Sequence, residues 1–282
     1  MGIDLHTFRF VSGLARQRPL GRVLTIGRQG VDFDPALAGT PPAGAETAYC
    51  EWAFRALGAE EVESVDISDY EKATYVADLG QPTQLPGQFD TVIDAGSLEH
   101  VFDVVTALRN VIGFTATNGR IVHVLPVNNL SGHGFWQFSS DLLYALYAEQ
   151  NGFADTRVYY ASSLNPDEWR LVPEPKAGTR TELVSIEPVI LLSVTTKLRD
   201  VQSLAVTQPF YAQAWEAGDV GPVAETASAA RRAVTAFSRF GLYRLLRNIW
   251  TIAGLLAGTS RYAMGGKRFA KRKSQGGEGP IP

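Results

Sequence analysis

Apolar residues along this chain gather in short runs that stop at glycine, proline or an acid, with helically spaced segments between them. Arg22-Val23-Leu24-Thr25-Ile26, closed by Gly27, reads as a first strand. Residues 28–45 are loop-like, with Pro35, Gly39, Pro41, Pro42 and Gly44. Residues 46–57 carry apolar positions at helical spacing, and Gly58 supplies a C-terminal stop. Further strands are expected at 62–67, at 74–77 ending in Asp78, and at 89–93, with a helix over 101–115. Ser97 is placed to cap that helix, with Glu99 near its positive end. Asn118-Gly119 marks a turn before a fifth strand at 120–125, which Pro126 stops. A helix over 141–150, capped by Ser139, leads to a sixth strand at 157–160. Residues 189–196 are the best β run of the chain, and 165–188 form an irregular insertion before it.

Strands alternating with helices predict an α/β fold, a Rossmann-like, doubly wound and mostly parallel sheet. The long insert before the last strand points to an antiparallel edge. After about residue 200 the pattern changes. The expected organisation is a domain over 1–200, a helical, basic C-terminal extension over 201–264 and a disordered tail over 265–282.

Apolar content of 45% and charged content of 20% are ordinary for a globular chain. Cys50 is the only cysteine, so no internal disulfide is possible, and the first residues lack the pattern of a signal peptide. Both features suit a cytoplasmic protein. Charge is unevenly spread. Residues 221–282 hold 11 Lys/Arg and 2 Glu, a balance of +9, whereas 1–220 hold 15 Lys/Arg and 27 Asp/Glu, a balance of −12, against −3 overall. Residues 242–256 form an amphipathic segment, and with the basic run 267–273 they suggest attraction to an anionic membrane surface, peripheral to its inner face. The longest uncharged run there, 248–260, has 13 residues, short of the ~20 that span a bilayer. The acidic body argues against nucleic acid as a partner.

In an open α/β sheet, ligands bind beyond the carboxyl ends of the strands. Candidate site residues therefore sit at those ends. Gly27 and Gly30 bracket a loop whose backbone can approach a ligand, and Arg28 lies between them. Asp66 can accept hydrogen bonds from ribose hydroxyls, Asp78 can receive an adenine amino group, and Asp94 can hold an acceptor or a cofactor amine. No G-x-G-x-x-G fingerprint is present, and Asp66 lies 36 residues after Gly30 rather than about 20, which disfavours a nicotinamide dinucleotide. Ser131-Gly132-His133-Gly134-Phe135-Trp136-Gln137-Phe138-Ser139 follows the fifth strand and suits a ring or sugar face. His133 is the first candidate for a general base and His100 the second. His123, inside an apolar strand, reads as structural, and His6 as surface. Cys50 and the four histidines show no metal-ligand spacing.

Taken in order, these segments resemble the class I S-adenosylmethionine-dependent methyltransferases, over roughly residues 20–196. The strand with Gly27 and Gly30 is similar to the family's first motif, Val65-Asp66 to its ribose-binding acid, and Ala77-Asp78-Leu79 to its adenine segment. Phe89-Asp90-Thr91-Val92-Ile93-Asp94 through Leu98-Glu99-His100-Val101 resembles the fourth motif closely, and Asn118-Gly119-Arg120-Ile121-Val122 resembles the turn and fifth strand. The resemblance implies a seven-stranded sheet with the last strand antiparallel, S-adenosylmethionine as cofactor, and methyl transfer to a small-molecule or sugar (glycan) hydroxyl. It also implies that Arg28 could pair with the cofactor's methionine carboxylate. Arg28 and Gln29 stand where the family has a richer glycine loop, so a catalytically inactive scaffold at a membrane surface is the rival reading. The same likeness suggests a bacterial protein.

Overall fold

The computed structural model describes residues 2–176, 181, 183, 185–211 and 249, and the backbone of 271–273. The chain begins with β1 (Gly2–Asp4) and α1 (Leu5–Gln17), followed by β2 (Gly21–Ile26), β3 (Gly30–Asp32), α2 (Glu51–Ala56) and β4 (Ala59–Asp66). Next come β5 (Tyr75–Val76), β6 (Phe89–Ala95), α3 (Val104–Phe114), β7 (Thr115–Asn128) and α4 (Ser140–Leu146). The last elements are β8 (Phe153–Ser162), β9 (Glu168–Val172), β10 (Val189–Lys197) and β11 (Lys271–Lys273).

One sheet has the order β11-β9-β8-β10-β7-β6-β2-β4-β5. The pairs β5/β4, β4/β2, β2/β6 and β6/β7 are all parallel. β10 enters between β7 and β8, antiparallel to both. This is the expected sheet of seven strands with the last antiparallel, extended at one edge by β9 and β11. β9 corrects the expectation of an irregular 165–188. Its Trp169 is buried and its Nε1 donates to His6 Nδ1 at 3.0 Å, a long-range contact that flanking prolines and charges hide in the sequence.

Alternation along the strands gives the sheet two apolar faces. Ile93, Ala95, Val122, Val124, Leu192 and Val194 pack in one core with Phe8, Phe10, Val11 and Leu14 of α1 and with Trp52 and Phe54 of α2. Asp94 and His123, the intervening positions of β6 and β7, lie opposite each other in the ladder. The strand pair β1–β3 and helix α1 add to the elements expected from the sequence. Asp4 caps α1 by accepting from the Thr7 amide at 2.8 Å. Arg120 on β7 anchors the other end, donating to the carbonyls of Leu14, Arg18 and Pro19. His6, expected at the surface, is instead buried beside Trp169, and burial holds its imidazole below the ordinary value and so neutral.

Two helix boundaries also move. The helix expected over 46–57 is confined to Glu51–Ala56, and Gly58 stops it with φ +88°. The helix expected from 101 starts at Val104, capped by Asp103 rather than by Ser97. Ser139 does cap α4. Two compact units divide the chain, 1–174 with 187–206 and 270–282, and 175–186 with 207–269. Most of the second unit lies outside the described residues. So do the amphipathic segment 242–256 except Ile249, and the tail apart from the 271–273 backbone. No described helix is long and apolar enough to cross a membrane.

Candidate functional site

A cleft of about 410 Å³ opens at the carboxyl ends of β2, β4 and β5. Gly27, Asp66, Asp78 and His100 all line it, with apolar Ile67, Leu79, Val101, Phe102 and Phe135. Ile67, Phe102 and Phe135 are largely exposed, which leaves apolar surface for a ligand to cover. Among the described residues, the Asp66 carboxylate accepts only long hydrogen bonds, from Arg28 N at 3.4 Å and Ser68 N at 3.3 Å. Asp78 Oδ1 accepts from the Gly80 amide at 2.8 Å. A Cβ on Gly27, where φ is +75°, would sit 2.9 Å from Ser97 Oγ, so both conformation and space require glycine there.

Three expected cofactor residues are used otherwise. Arg28 is held by its own chain: Nε donates to Glu51 at 2.7 Å, Nη2 to Glu46 at 2.8 Å and Nη1 to the Glu71 carbonyl at 2.7 Å, with the guanidinium 3.9 Å from the Tyr49 ring centroid. Two of these contacts are to neighbouring acids and one is to a backbone carbonyl, and Arg28 is not among the residues that line the cleft. Gly30 belongs to β3 and pairs with Gly2, and a Cβ on Gly2 would stand 2.9 Å from the Gly30 carbonyl oxygen. Its task is to dock the N-terminal strand. Asp94 is fully buried. It accepts from the amides of Ser97 at 3.1 Å and Leu98 at 3.3 Å and from His123 Nδ1 at 2.9 Å. Asp94 thus caps the short Leu98–His100 turn from below rather than meeting a ligand. With Nδ1–H given to the carboxylate, His123 Nε2 accepts the Tyr147 hydroxyl at 2.6 Å, which bears out the structural reading of His123.

Ser97 shows why the loop has this form. Its hydroxyl donates to the Ile26 carbonyl at 2.6 Å and accepts from Gln29 Nε2 at 3.0 Å, so it ties β6 to the end of β2 and is unavailable as a cap for α3. Gln29 also donates to the Ile26 carbonyl at 2.7 Å. The side chain that departs from a glycine-rich loop is therefore turned inward and buried.

A second cavity of about 280 Å³ lies on the far side of the Leu98–His100 turn, lined by Gly96, Glu99, Pro126, Leu130, His133 and residues from β1 and β3. The segment after β7 is pinned to the turn. The amides of Phe135 and Trp136 donate to the Glu99 carbonyl at 2.7 and 3.2 Å, and Trp136 Nε1 donates to the Val101 carbonyl at 2.9 Å. His133 and His100 are thereby brought together, their ring centroids 5.7 Å apart, one facing each cavity. Between them stands Glu99, fully buried, with Oε1 at 3.5 Å from His133 Nε2 and 4.0 Å from His100 Nε2. Burial, and then the charge of Asp94, push the Glu99 carboxyl up to about 8. Burial, and then the neighbouring His133, hold His100 below the ordinary imidazole value.

In the sequence Glu99 reads only as a charge near a helix start, and its adjacency to His100 is the one signal of another role. Histidines with no metal-ligand spacing along the chain nonetheless form, with Glu99, a group whose donor atoms all lie within 4.8 Å of one another.

No protein-family profile and no curated protein matches the chain. Solved structures similar to it include the N-methyltransferase NodS from Bradyrhizobium japonicum, 14% identical over 69% of this chain and 94% of that one, with a TM-score of 0.41. The YcgJ protein from Bacillus subtilis is 17% identical over 70% and 99%, with a TM-score of 0.41. A TehB-like SAM-dependent methyltransferase from Corynebacterium glutamicum is 20% identical over 69% and 88%, with a TM-score of 0.40. The strand order and directions, with β10 antiparallel between β7 and β8 and a cleft at the carboxyl ends of the parallel strands, make this a Rossmann-like, doubly wound α/β fold, as the resemblance implies.

Proposed function

We propose that the chain is an S-adenosylmethionine-dependent methyltransferase acting on a small hydroxyl-bearing molecule, a sugar included. The observation that carries this reading is the Leu98–His100 turn standing between two cavities, one suited to a nucleoside and one lined by ionisable groups. The first cavity fits the cofactor. Asp66 offers lone pairs to a ribose diol, Ile67, Leu79 and Val101 offer apolar faces to a purine, and Asp78 keeps one oxygen for an amino group. The bare backbone at Gly27 allows close approach.

The cofactor supplies a methyl group on a sulfonium: an acceptor lone pair forms the new bond to carbon, the S–C bond breaks, its electron pair stays on sulfur as a neutral thioether, and the acceptor proton is released. The chain's residues align the acceptor, exclude water and take that proton. His133 faces the acceptor cavity and, with no cation bound beside it, is the proposed base, and His100, on the cofactor side, is the second candidate. Glu99, His133 and Ser163 offer polar groups that suit a hydroxylated acceptor. We also propose a cytoplasmic protein whose basic residues 221–282 meet anionic lipid, a reading supported by the charge of +9 in that segment.

The test is methyl transfer itself. The chain is incubated with S-adenosylmethionine carrying a labelled methyl group and a deproteinised small-molecule extract. Wild type should move label into a small molecule, and His133→Ala should lower the rate at least tenfold while retaining cofactor binding. Cofactor binding with no transfer by wild type would instead describe a non-catalytic module.

A further inference from the structure

We propose that Glu99, His100 and His133 bind one divalent transition-metal cation of the manganese-to-zinc row at the junction of the two cavities. The starting observation is the Glu99 carboxylate. It is fully buried, and no described residue donates a hydrogen bond to either of its oxygens. A carboxyl taken out of water in this way either keeps its proton or gives it up to a cation that compensates the charge. Two imidazoles converge on it at 3.5 and 4.0 Å, and neither makes a hydrogen bond to it. Ligands on a common metal, with bonds of about 2.1 Å and angles between tetrahedral and octahedral values, stand roughly 3.0–3.4 Å apart. The Glu99–His133 separation of 3.5 Å is close to that range, the Glu99–His100 separation of 4.0 Å must close by about 0.6 Å or more, and with all donor atoms within 4.8 Å of one another the two half-exposed imidazoles must turn towards each other to share one ion.

The scaffold holds this arrangement in advance. Glu99 and His100 are neighbours on a turn capped by Asp94, and His133 sits on the segment that the Phe135 and Trp136 amides fasten to the Glu99 carbonyl. A Cβ on Gly134 would stand 2.8 Å from both the Glu99 carbonyl oxygen and its Cγ, so only glycine lets the two segments approach this closely. Two imidazole nitrogens with one carboxylate suit borderline cations such as Mn²⁺, Co²⁺ and Zn²⁺, whereas Mg²⁺ and Ca²⁺ favour oxygen donors throughout. The side chains of His100 and His133 are 41% and 48% exposed, which gives a path of entry. Three protein ligands leave positions open towards the acceptor cavity. Under the methyltransferase reading, on which this last step rests, an acceptor oxygen would take such a position. The imidazoles then serve as ligands rather than bases, and the lowered pKa of the bound hydroxyl lets its proton pass to solvent.

The test uses the full, tag-free chain, stripped with a chelator and dialysed. Co²⁺ is followed by its visible absorption, and Mn²⁺ and Zn²⁺ by calorimetry. Wild type should saturate at one equivalent. Glu99→Gln and His133→Ala should each weaken binding at least tenfold. If Glu99→Gln fails to fold, the double variant His100→Ala/His133→Ala, altered only at half-exposed positions, makes the same comparison. Absence of binding for all three cations, or binding that these substitutions leave unchanged, overturns the site. A parallel titration with S-adenosylhomocysteine separates the two proposals. Metal binding without nucleoside binding keeps the site and removes the methyltransferase reading, and nucleoside binding without metal binding does the reverse.

Discussion

A buried carboxyl group without a donor keeps its proton, and at Glu99 this links stability to pH. Its value rises from 4.5 to about 8, so between those pH values the folded chain carries one proton more than the unfolded chain. Stability from this group is complete below the lower value, falls across the interval and is gone above the upper one. Metal-free wild type should therefore lose melting temperature as pH rises to about 8 and level off beyond it, and Glu99→Gln should flatten that slope. A slope unchanged by the substitution would show that other groups cause it. Tyr147 makes a second prediction. Removing its hydroxyl leaves the buried Nε2 of His123 without a donor, so Tyr147→Phe should cost about 1–3 kcal/mol in denaturant unfolding, with no change in nucleoside binding. The strand-end acids Asp66 and Asp78 are legible in the sequence because a strand end is a local feature. The role of Arg28 is not, because Glu46 and Glu51 are set against it by the path of the loop. That of Glu99 is not, because its burial depends on a segment more than thirty residues away.

Helix α1 has its signals in the sequence: Asp4 and Thr7 at the start, then Phe8, Val11 and Leu14 at helical spacing. Those signals stand without a frame, because β1 and β3 are only three residues each and carry no pattern of their own. The helix matters to the site because the Gly2–Asp4 strand that leads into it lines the acceptor cavity. Phe10 is wholly buried and meets Tyr159 and Trp169 edge-on, with centroids 5.9 and 5.5 Å away. Phe10→Ala should cost about 3–5 kcal/mol, measured by urea unfolding. The segment carrying His133 makes a contrasting case. Gly134→Ala puts a methyl group against Glu99, so it should disturb the acceptor side and leave the affinity for S-adenosylhomocysteine within about twofold of wild type. The helix boundary at Val104 rather than 101 has a comparable origin. Ser97 looks like a cap by type and position, but the Ile26 carbonyl of another strand takes its hydroxyl.

At the scale of the molecule, seven strands of the main sheet arise from runs of β-branched and apolar residues, and the parallel pairs follow from the helices that connect them. The two extra edge strands are not legible in this way, since β9 lies among prolines and charges. The arrangement puts Gly27, Asp66 and Asp78, which are distant in sequence, around one cleft, and the functional reading stands on this convergence. A calorimetric titration of the full chain with S-adenosylhomocysteine probes it without intermediary. Saturable binding at one site, weakened at least tenfold by Asp66→Ala, is the expected outcome. No heat and no thermal shift, with either this ligand or S-adenosylmethionine, would refute a cofactor role for the cleft.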